Sequence, residues 1–205
     1  DDPKAQRRAG GSFGYASAMY RVTDNSDSNV YALRRFDNVR TTQTILQNAL
    51  SKWTTVRHPS IVSLYAVQAD KGAAFFTHAF HPGAQTLKQK FIDQRGTPLA
   101  EALLWRILTQ LLVGIRAAHS HGVAVRVIGL TRILLVSGTR VRINNVGVPD
   151  VLEFESRRMV AELQADDLLK LGMVMLSLST RTSITANLIH QAMGMAQSQY
   201  SPSFH

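Results

Sequence analysis

Arginine side chains are the groups in this sequence best suited to chemistry. Arg34 ends the strand-like YALR, and Arg126 and Arg132 lie in VAVRVIGLTRILL, residues 123–135. Guanidinium groups bind phosphate through paired hydrogen bonds. The same stretch contains no Asp or Glu, so it offers no group able to accept a proton from an attacking hydroxyl. These residues therefore predict binding of an anionic ligand without its chemical conversion.

Other polar and sulphur-containing clusters have simpler explanations than catalysis. His119 and His121 resemble a metal-binding pair, but no third ligand accompanies them, so we interpret both as structural. No residue is predicted to bind a metal. Four methionines near the end of the chain are predicted to fill the core: Met173, Met175, Met193 and Met195.

The first half of the sequence predicts a small antiparallel sheet with one helix. Residues 12–36 carry aromatic and β-branched residues on both sides of the turn-forming TDNSDSN, which indicates a hairpin. Apolar residues at helical spacing predict a helix over 41–56. Two further strands are predicted on either side of QADKG. Arg34 would then lie near the end of the second strand.

The second half predicts a mainly helical structure. After the break HPGAQ, Thr97 as cap and Pro98 at the first helical position predict the start of a long helix, which Gly122 ends. Two short strands, RILLV and RVRIN, follow that helix. The segments 166–180 and 184–196 are apolar nearly all round and predict helices buried in the core.

The composition is that of a globular protein with an anionic partner. The 205 residues carry a net charge of +9 and are 45% hydrophobic. The charge favours nucleic acid, nucleotide phosphates or an acidic protein surface, although it also promotes solubility alone. No cysteine is present, which fits a reducing compartment and a cytoplasmic location. No apolar run approaches the ~20 residues of a membrane span, and the start DDPKAQRR lacks an initiator Met, so we expect a piece of a longer protein.

The order of these elements resembles that of protein kinases over most of the chain. A loop containing Gly11 and Gly14 precedes a strand that ends in a basic residue, and a helix, an HPxIV strand, a hinge and a long helix follow. The resemblance implies an α+β, bilobal kinase-like fold with a small antiparallel-sheet N-lobe and a mainly helical, incomplete C-lobe. It divides the chain into a flexible basic arm (1–11), an N-lobe (12–80), and a hinge with the C-lobe (81–205).

The positions that carry kinase chemistry hold other residues here. The H-R-D-L-x-x-x-N loop aligns without a gap, so Val125 and Val127 replace the His and the catalytic Asp, and Arg132 replaces the metal-binding Asn. Asn145 replaces the Asp of D-F-G, and the helix after the basic strand offers no Glu. Because proton acceptance and magnesium binding both need these groups, the chain is predicted to be a pseudokinase and not an enzyme.

The loop itself is predicted to have a structural role. Val123, Val125, Val127 and Ile128 would pack the lobe where polar groups serve catalysis in kinases. Asp167 lies where kinases anchor this loop from the following helix. The other interpretation of Asp167 is a solvated acid at the start of a helix.

Several strings resemble the pseudokinase domain of the regulatory subunits of the poly(A)-nuclease deadenylation complex. The most specific are YALRR, GLTRILL and NNVGVPDV, and the closing QYSPSFH also fits. The resemblance implies ATP binding without catalysis. Since arginines stand where magnesium ligands would be, fixed cations would neutralise ATP directly, with no magnesium held by side chains. The glycine loop and the resemblance together imply these nucleotide contacts: Gly11, Gly14, Arg34, Ala79, Phe80, His81, Pro82, Gly83, Ala84, Gln85, Thr86, Thr131 and Arg132.

The resemblance also implies macromolecular partners and no membrane. Such subunits scaffold recruitment of the poly(A)-shortening ribonuclease to mRNA and contact poly(A)-binding protein. They bind the ribonuclease through a C-terminal knob and form homodimers through a coiled coil, and we expect both regions to lie outside this sequence. Poly(A) RNA is a further partner that suits the net charge of +9. The alternative is an RNA-binding or protein-scaffold pseudokinase whose cleft does not bind nucleotide.

Overall fold

The computed structural model describes residues 13–94 and 96–202. The predicted basic arm, and Gly11 within it, lies outside the described residues. The chain forms two compact units, each with its own sheet and its own buried core. Among the described residues, the first unit is 13–82 with 145–157, and the second is 83–94 and 96–144 with 158–202.

The described residues form strands and helices in the order that the sequence predicts, with four short additions: a two-residue strand at Gln85–Thr86, a five-residue helix at Val148–Leu152 and two single turns. A π-helical turn spans Lys88–Ile92, and a 3-10 turn spans Ala186–Leu188. The strands are β1 (Ser17–Thr23), β2 (Val30–Phe36), β3 (Leu64–Asp70), β4 (Ala73–Ala79), β5 (Gln85–Thr86), β6 (Ile133–Ser137) and β7 (Arg140–Ile143). The helices are α1 (Gln43–Thr55), α2 (Glu101–Ser120), α3 (Val148–Leu152), α4 (Val160–Thr180) and α5 (Ile189–Gln199).

The first unit is built on a four-stranded antiparallel sheet in the order β1-β2-β4-β3. The predicted hairpin is confirmed, with Ser17 opposite Phe36 and Thr23 opposite Val30. Phe36 and Phe76 face the core and meet edge to face, with ring centroids 5.7 Å apart. Both rings are fully buried, so they anchor β2 to β4 through apolar contact and a favourable ring geometry.

Helix α1 covers one face of this sheet and confirms the predicted helix over 41–56. Its N-terminus is capped by Thr42, whose Oγ1 accepts a hydrogen bond from the backbone N–H of Ile45 at 3.4 Å. Leu46, Ala49 and Trp53 recur at helical spacing and are buried. The helix packs against β3.

The short helix α3 is an element that the sequence does not predict. It follows the NNVG turn and returns the chain to the first unit, where it packs against α1. The indole Nε1 of Trp53 donates to Oδ2 of Asp150 at 2.8 Å, and Lys52 Nζ lies 3.7 Å from Oδ1 of the same carboxylate. Val148 and Val151 of α3 are themselves buried. One turn of helix therefore persists because tertiary contacts hold it, since a helix this short is unstable alone.

The second unit joins a three-stranded antiparallel sheet, β5-β6-β7, to three helices. Helix α2 packs on β7 and on α4, and α4 packs on α5. Gln110 of α2 ties the β6–β7 hairpin down, because its Oε1 accepts from the N–H of Val141 at 3.1 Å and its Nε2 donates to the carbonyl of Thr139 at 2.9 Å. Gly122 ends α2 as predicted, with φ of +70°.

The predicted start of the long helix at Thr97 and Pro98 is wrong. Helix α2 begins at Glu101, and Ala100 is its N-cap. The Glu101 carboxylate accepts hydrogen bonds from the N–H and the hydroxyl of Ser201, at 2.9 and 2.7 Å. In the segment before the helix, the carbonyl of Leu99 accepts from the Tyr200 hydroxyl at 3.1 Å, so contacts with distant residues accompany the observed boundary.

The prediction that α4 and α5 are core helices on all sides is also wrong. Leu171, Val174 and Leu178 are buried, but Leu168 and Leu169 are 51% and 70% exposed. Helix α4 also begins at Val160, before the predicted start. Met193 and Met195 of α5 are exposed and fill no core, whereas Met175 is buried as predicted. No helix among the described residues is both long and apolar enough to cross a membrane.

The close packing around Gly147 makes a stability prediction. Gly147 has φ of +80°, and a Cβ there would lie 2.7 Å from Cδ2 of Leu64 and 3.3 Å from Cδ1 of Trp53. Leu64 and Trp53 are both buried. We expect Gly147→Ala to lower the free energy of unfolding by roughly 2–4 kcal/mol, from the left-handed backbone and the overlap together.

The matched control is Gly72→Ala, which shares the left-handed backbone, with φ of +76°, but has no atom within 4 Å of an added Cβ. Urea unfolding of both variants separates the steric part from the conformational part. Equal losses at the two positions would contradict the packing argument.

Candidate functional site

One buried carboxylate of the second unit fixes the backbone of the loop at residues 123–128. Asp167 of α4 is 0% exposed. Its Oδ2 accepts from the backbone N–H of Val125 at 2.6 Å, and its Oδ1 accepts from the N–H of Arg126 at 2.7 Å. Asp167 lies in the middle of α4, so the anchor prediction is confirmed and the helix-start interpretation is wrong. Two charge-assisted bonds fix the loop backbone.

His119 provides a third hydrogen bond to that carboxylate. Its Nε2 donates to Oδ2 of Asp167 at 3.0 Å. His121 instead caps the end of α2, with its Nδ1 donating to the carbonyl of Ala117 at 2.8 Å. The structural interpretation of both histidines is confirmed. In the described part of the chain, no three His, Asp or Glu side chains group as a metal site would require.

The side chains of the loop are packed into the unit. Val125 and Val127 are fully buried, and Val123 and Ile128 are nearly so, as predicted. Arg126 has φ of +61°, which turns the backbone so that both neighbouring valines point inward. A buried valine at position 127 can neither orient a hydroxyl nor accept its proton. The frame is therefore kept as a packed structural turn.

The NNVG turn in the first unit is fixed by a buried histidine. The His78 imidazole donates from Nε2 to the carbonyl of Val146 at 3.0 Å. Asn145 is buried with φ of +64°, a conformation that Asn tolerates better than most residues. Burial is the main cause that lowers the pKa of His78 to about 4, and the positive charge of Arg34 contributes to the same shift. His78 is thus neutral at pH 7 and serves as a hydrogen-bond donor.

Arg34 lies on the core side of β2, in the same unit as this turn. It stands opposite Met19 of β1 and Phe76 of β4. Its guanidinium carbon is 5.9 Å from the centre of the Phe36 ring. The strand and the ring hold the cation, which is near enough to His78 to affect its pKa. This cation is a fixed group suited to an anionic ligand.

The remaining predicted nucleotide contacts divide between the units. Ala79 ends β4, and the Phe80 ring beyond it lies 5.5 Å from the guanidinium carbon of Arg21. Gly14 forms a left-handed turn before β1, with φ of +76°. With Ala79 and Phe80, the residues of this set in the first unit are Gly14, Arg34, His81 and Pro82, and those in the second are Gly83, Ala84, Gln85, Thr86, Thr131 and Arg132.

Within the second unit, the structure brings the end of this run close to Thr131 and Arg132. Strand β5 pairs with β6, and the N–H of Lys88 donates to the carbonyl of Leu130 at 2.9 Å. The carbonyl of Arg132 accepts from the N–H of Asn144 at 2.8 Å. Thr131 is exposed and Arg132 half-buried at this corner. A hydroxyl and a guanidinium there can bind phosphate oxygens but cannot transfer a phosphoryl group.

The chain is similar in sequence to PAN3 subunits of PAN2-PAN3 deadenylation complexes. No family model matches the chain. The PAN2-PAN3 deadenylation complex subunit pan3 of Dictyostelium discoideum is 34% identical over 208 residues, covering 98% of this chain and 28% of that protein. The PAN3 subunit of Neosartorya fischeri is 30% identical, covering 93% of this chain and 31% of the relative.

Solved structures agree with the sequence comparison. The Neurospora crassa PAN3 pseudokinase superposes with a TM-score of 0.88 at 28% identity, covering 99% of this chain and 52% of that chain. The Drosophila melanogaster PAN3 pseudokinase gives 0.84 at 28% identity, covering 91% and 52%. The chain is a homologue of PAN3 subunits and is similar in fold to PAN3 pseudokinases. The predicted α+β kinase-like fold is confirmed, and the chain spans about a third of the curated PAN3 relatives and about half of the solved pseudokinase chains.

The solved structures that are similar to this chain are named pseudokinases, which agrees with the prediction of a pseudokinase. The sequence identified Asp167 but missed His78 and the contact between Trp53 and Asp150. In FFTHAF, His78 alternates with the buried Phe76, which is the signal that a strand buries both on one face. The Trp53 contact spans 97 positions and has no local signal.

The anchoring role of Asp167 predicts a large stability loss on neutralisation. In Asp167→Asn, the amide keeps one acceptor oxygen but turns an N–H₂ group toward a backbone donor. We expect the free energy of unfolding to fall by roughly 2–4 kcal/mol, because a buried donor loses its charged acceptor. Urea unfolding followed by circular dichroism measures this loss.

Asp166→Asn is the neighbouring control. Asp166 pairs with Arg158 at 2.6 Å on the surface, where water screens the interaction. Its substitution should change stability much less. Similar effects at 166 and 167 would show that the loop does not depend on the buried carboxylate.

The lowered pKa of His78 predicts acid destabilisation. Below pH 6.5 the unfolded chain protonates this imidazole, whereas the folded chain keeps it neutral until about pH 4. The unfolded state then binds more protons, so stability falls as the pH falls from 6.5 to 4. His78 alone should contribute a loss of about 3 kcal/mol across this window.

Unfolding free energies of the unsubstituted chain and of His78→Gln, measured from pH 7.5 to 4.5, test this assignment. In His78→Gln, the unfolding free energy should depend much less on pH than in the unsubstituted chain. In His190→Gln, at an exposed position, the pH dependence should be unchanged. An unchanged slope in His78→Gln would assign the acid sensitivity to other groups.

Proposed function

We propose that the chain is a non-catalytic, ATP-binding pseudokinase module of the regulatory subunit of a PAN2–PAN3 deadenylation complex. The observation that carries the proposal is that the backbone of the catalytic-like loop is preserved while its catalytic carboxylate is absent. Asp167 fixes the loop backbone, and Val127 is buried where a kinase has its catalytic acid. Such a module binds and positions partners and transfers no phosphate.

The side chains fit ATP phosphates better than they fit a metal–phosphate complex. Arg34, Thr131 and Arg132 would hold phosphate oxygens, and backbone groups of the run 79–86 would hold the base. Because Arg132 stands in place of the metal-binding Asn and the neutral Asn145 in place of the Asp, binding would need no magnesium held by side chains.

The scaffold role rests on the names of the relatives, which are PAN3 subunits of PAN2-PAN3 complexes. By this relationship, the full-length protein would recruit the catalytic ribonuclease, PAN2, to the poly(A) tails of mRNA in the cytoplasm. Poly(A)-binding protein, poly(A) RNA and a second copy of the protein would be its other partners. The net charge of +9 supports an RNA partner and leaves one alternative, an RNA-binding or scaffold pseudokinase that binds no nucleotide.

Calorimetric titration with ATP tests nucleotide binding and its independence of magnesium. We expect ATP to bind in EDTA with an affinity within about threefold of that in magnesium, because arginine charges substitute for the ion. Arg34→Gln and Arg132→Gln should each weaken binding roughly tenfold or more, the effect of one charge-assisted hydrogen bond.

Arg116→Gln is the control, since Arg116 is exposed on α2 outside the predicted contacts. Loss of ATP binding in EDTA would contradict the arginine-for-metal proposal. Salt-sensitive binding of oligoadenylate by a chain that binds no ATP would favour the alternative.

A further inference from the structure

A groove in the first unit is lined by none of the residues considered for ATP, although the carbonyl of Ser63 in its lining accepts a hydrogen bond from the N–H of Ala79 at 3.0 Å. It lies between the end of α1 and the start of β3, and its volume is about 430 Å³. Trp53, Val56 and Leu64 line it and are almost fully buried, so its floor is apolar. This volume is within the range of sites that bind small ligands or a few side chains.

The rim of the groove carries a cation and no acid. Arg57 and Tyr65 line it, and both are exposed, Tyr65 by 53%. Among the described residues, no carboxylate forms an ion pair with Arg57. His58, also in the lining, accepts a hydrogen bond at Nδ1 from the N–H of Ser60 at 3.1 Å, and burial lowers its pKa, so it is neutral at pH 7. The groove therefore presents one permanent positive charge.

The rim is also preorganised. The Tyr65 ring meets the Tyr31 ring edge to face, with centroids 5.3 Å apart. The Tyr31 hydroxyl donates to Asp27 at 2.5 Å, which fixes the supporting ring. An exposed aromatic held in one orientation loses little conformational entropy when a partner covers it.

This composition favours a protein segment over nucleic acid. Tyr, Trp and Arg beside an apolar floor are the residues that dominate binding energy in protein interfaces. A polyanion such as RNA needs several cations along its backbone, and this lining supplies one. Charge complementarity to Arg57 selects an acidic partner.

We propose that the groove formed by Trp53, Val56, Arg57, Leu64 and Tyr65 is a docking site for a short acidic peptide segment. One or two apolar side chains of the segment lie on the floor, and a flanking carboxylate pairs with the Arg57 guanidinium. The Tyr65 ring covers the apolar side chains from the rim. The proposal does not rest on the proposed ATP binding.

A ligand in the groove would contact side chains that also pack against the NNVG turn. Trp53 bonds to Asp150 of α3, and Trp53 and Leu64 are the two side chains that close on Gly147. A ligand on the floor touches both of these side chains. Trp53 is therefore a built-in reporter, and the chain contains one other tryptophan, Trp105.

The test uses the full chain carrying Trp105→Phe, so that Trp53 alone emits. The probe is an acetylated hexapeptide with a central leucine and phenylalanine flanked on each side by two aspartates. A second probe replaces the aspartates with lysines. We expect saturable binding of the acidic probe, measured by anisotropy of a labelled peptide and by a shift in Trp53 emission.

Charge reversal at the rim decides the assignment. Arg57→Glu should weaken the acidic probe about tenfold or more and strengthen the lysine probe. Arg40→Glu, at an exposed arginine of the same unit outside the groove, should leave both affinities nearly unchanged. Both exposed variants are checked for unchanged unfolding midpoints before titration.

Three results would overturn the docking site. The first is no saturable binding of the acidic probe, and the second is an equal effect of Arg57→Glu and Arg40→Glu. The third is binding of oligoadenylate, but not peptide, that depends on Arg57, which would assign the rim to RNA.

Discussion

The bond between Asp167 and the backbone of Val125 and Arg126 is the constraint on which the second unit depends. A fully buried carboxylate is stable only if every lone pair facing the protein finds a donor, and here two amides and His119 provide them. The loop backbone is thereby fixed from α4. Any side chain that fits the surrounding space can then occupy positions 125 and 127.

Valine at positions 125 and 127 follows from that freedom. In a kinase the loop exposes a catalytic acid, which must be held ready in a polar setting. Here both side chains are fully buried and contribute apolar packing. The fold thus separates two properties that active kinases combine, a fixed loop and a reactive carboxylate. This separation explains how a pseudokinase keeps the shape of a catalytic loop.

The first unit has a corresponding constraint around the NNVG turn. An active kinase joins its helix to the basic residue of the strand by an ion pair. Here α1 is joined to α3 instead, through Trp53 and Asp150, while His78 holds the carbonyl of Val146. Gly147 fits between Leu64 and Trp53 because it has no Cβ. The same two side chains form the floor of the groove beside Arg57, so the turn and the groove share one packed layer.

The sequence by itself determined the elements whose signals are local, and it located the degenerate catalytic positions and the Asp167 anchor. Thr42 caps α1, TDNSDSN turns the first hairpin and Gly122 ends α2, because each depends on a few neighbouring residues. Only the tertiary structure decided the start of α2, the short helix α3 and which faces of α4 and α5 are covered. Ser201 reaches Glu101 and Trp53 reaches Asp150 across about a hundred residues. Apolar residues indicate that a helix can be buried, but only the packing of neighbouring elements decides which of its sides loses contact with water.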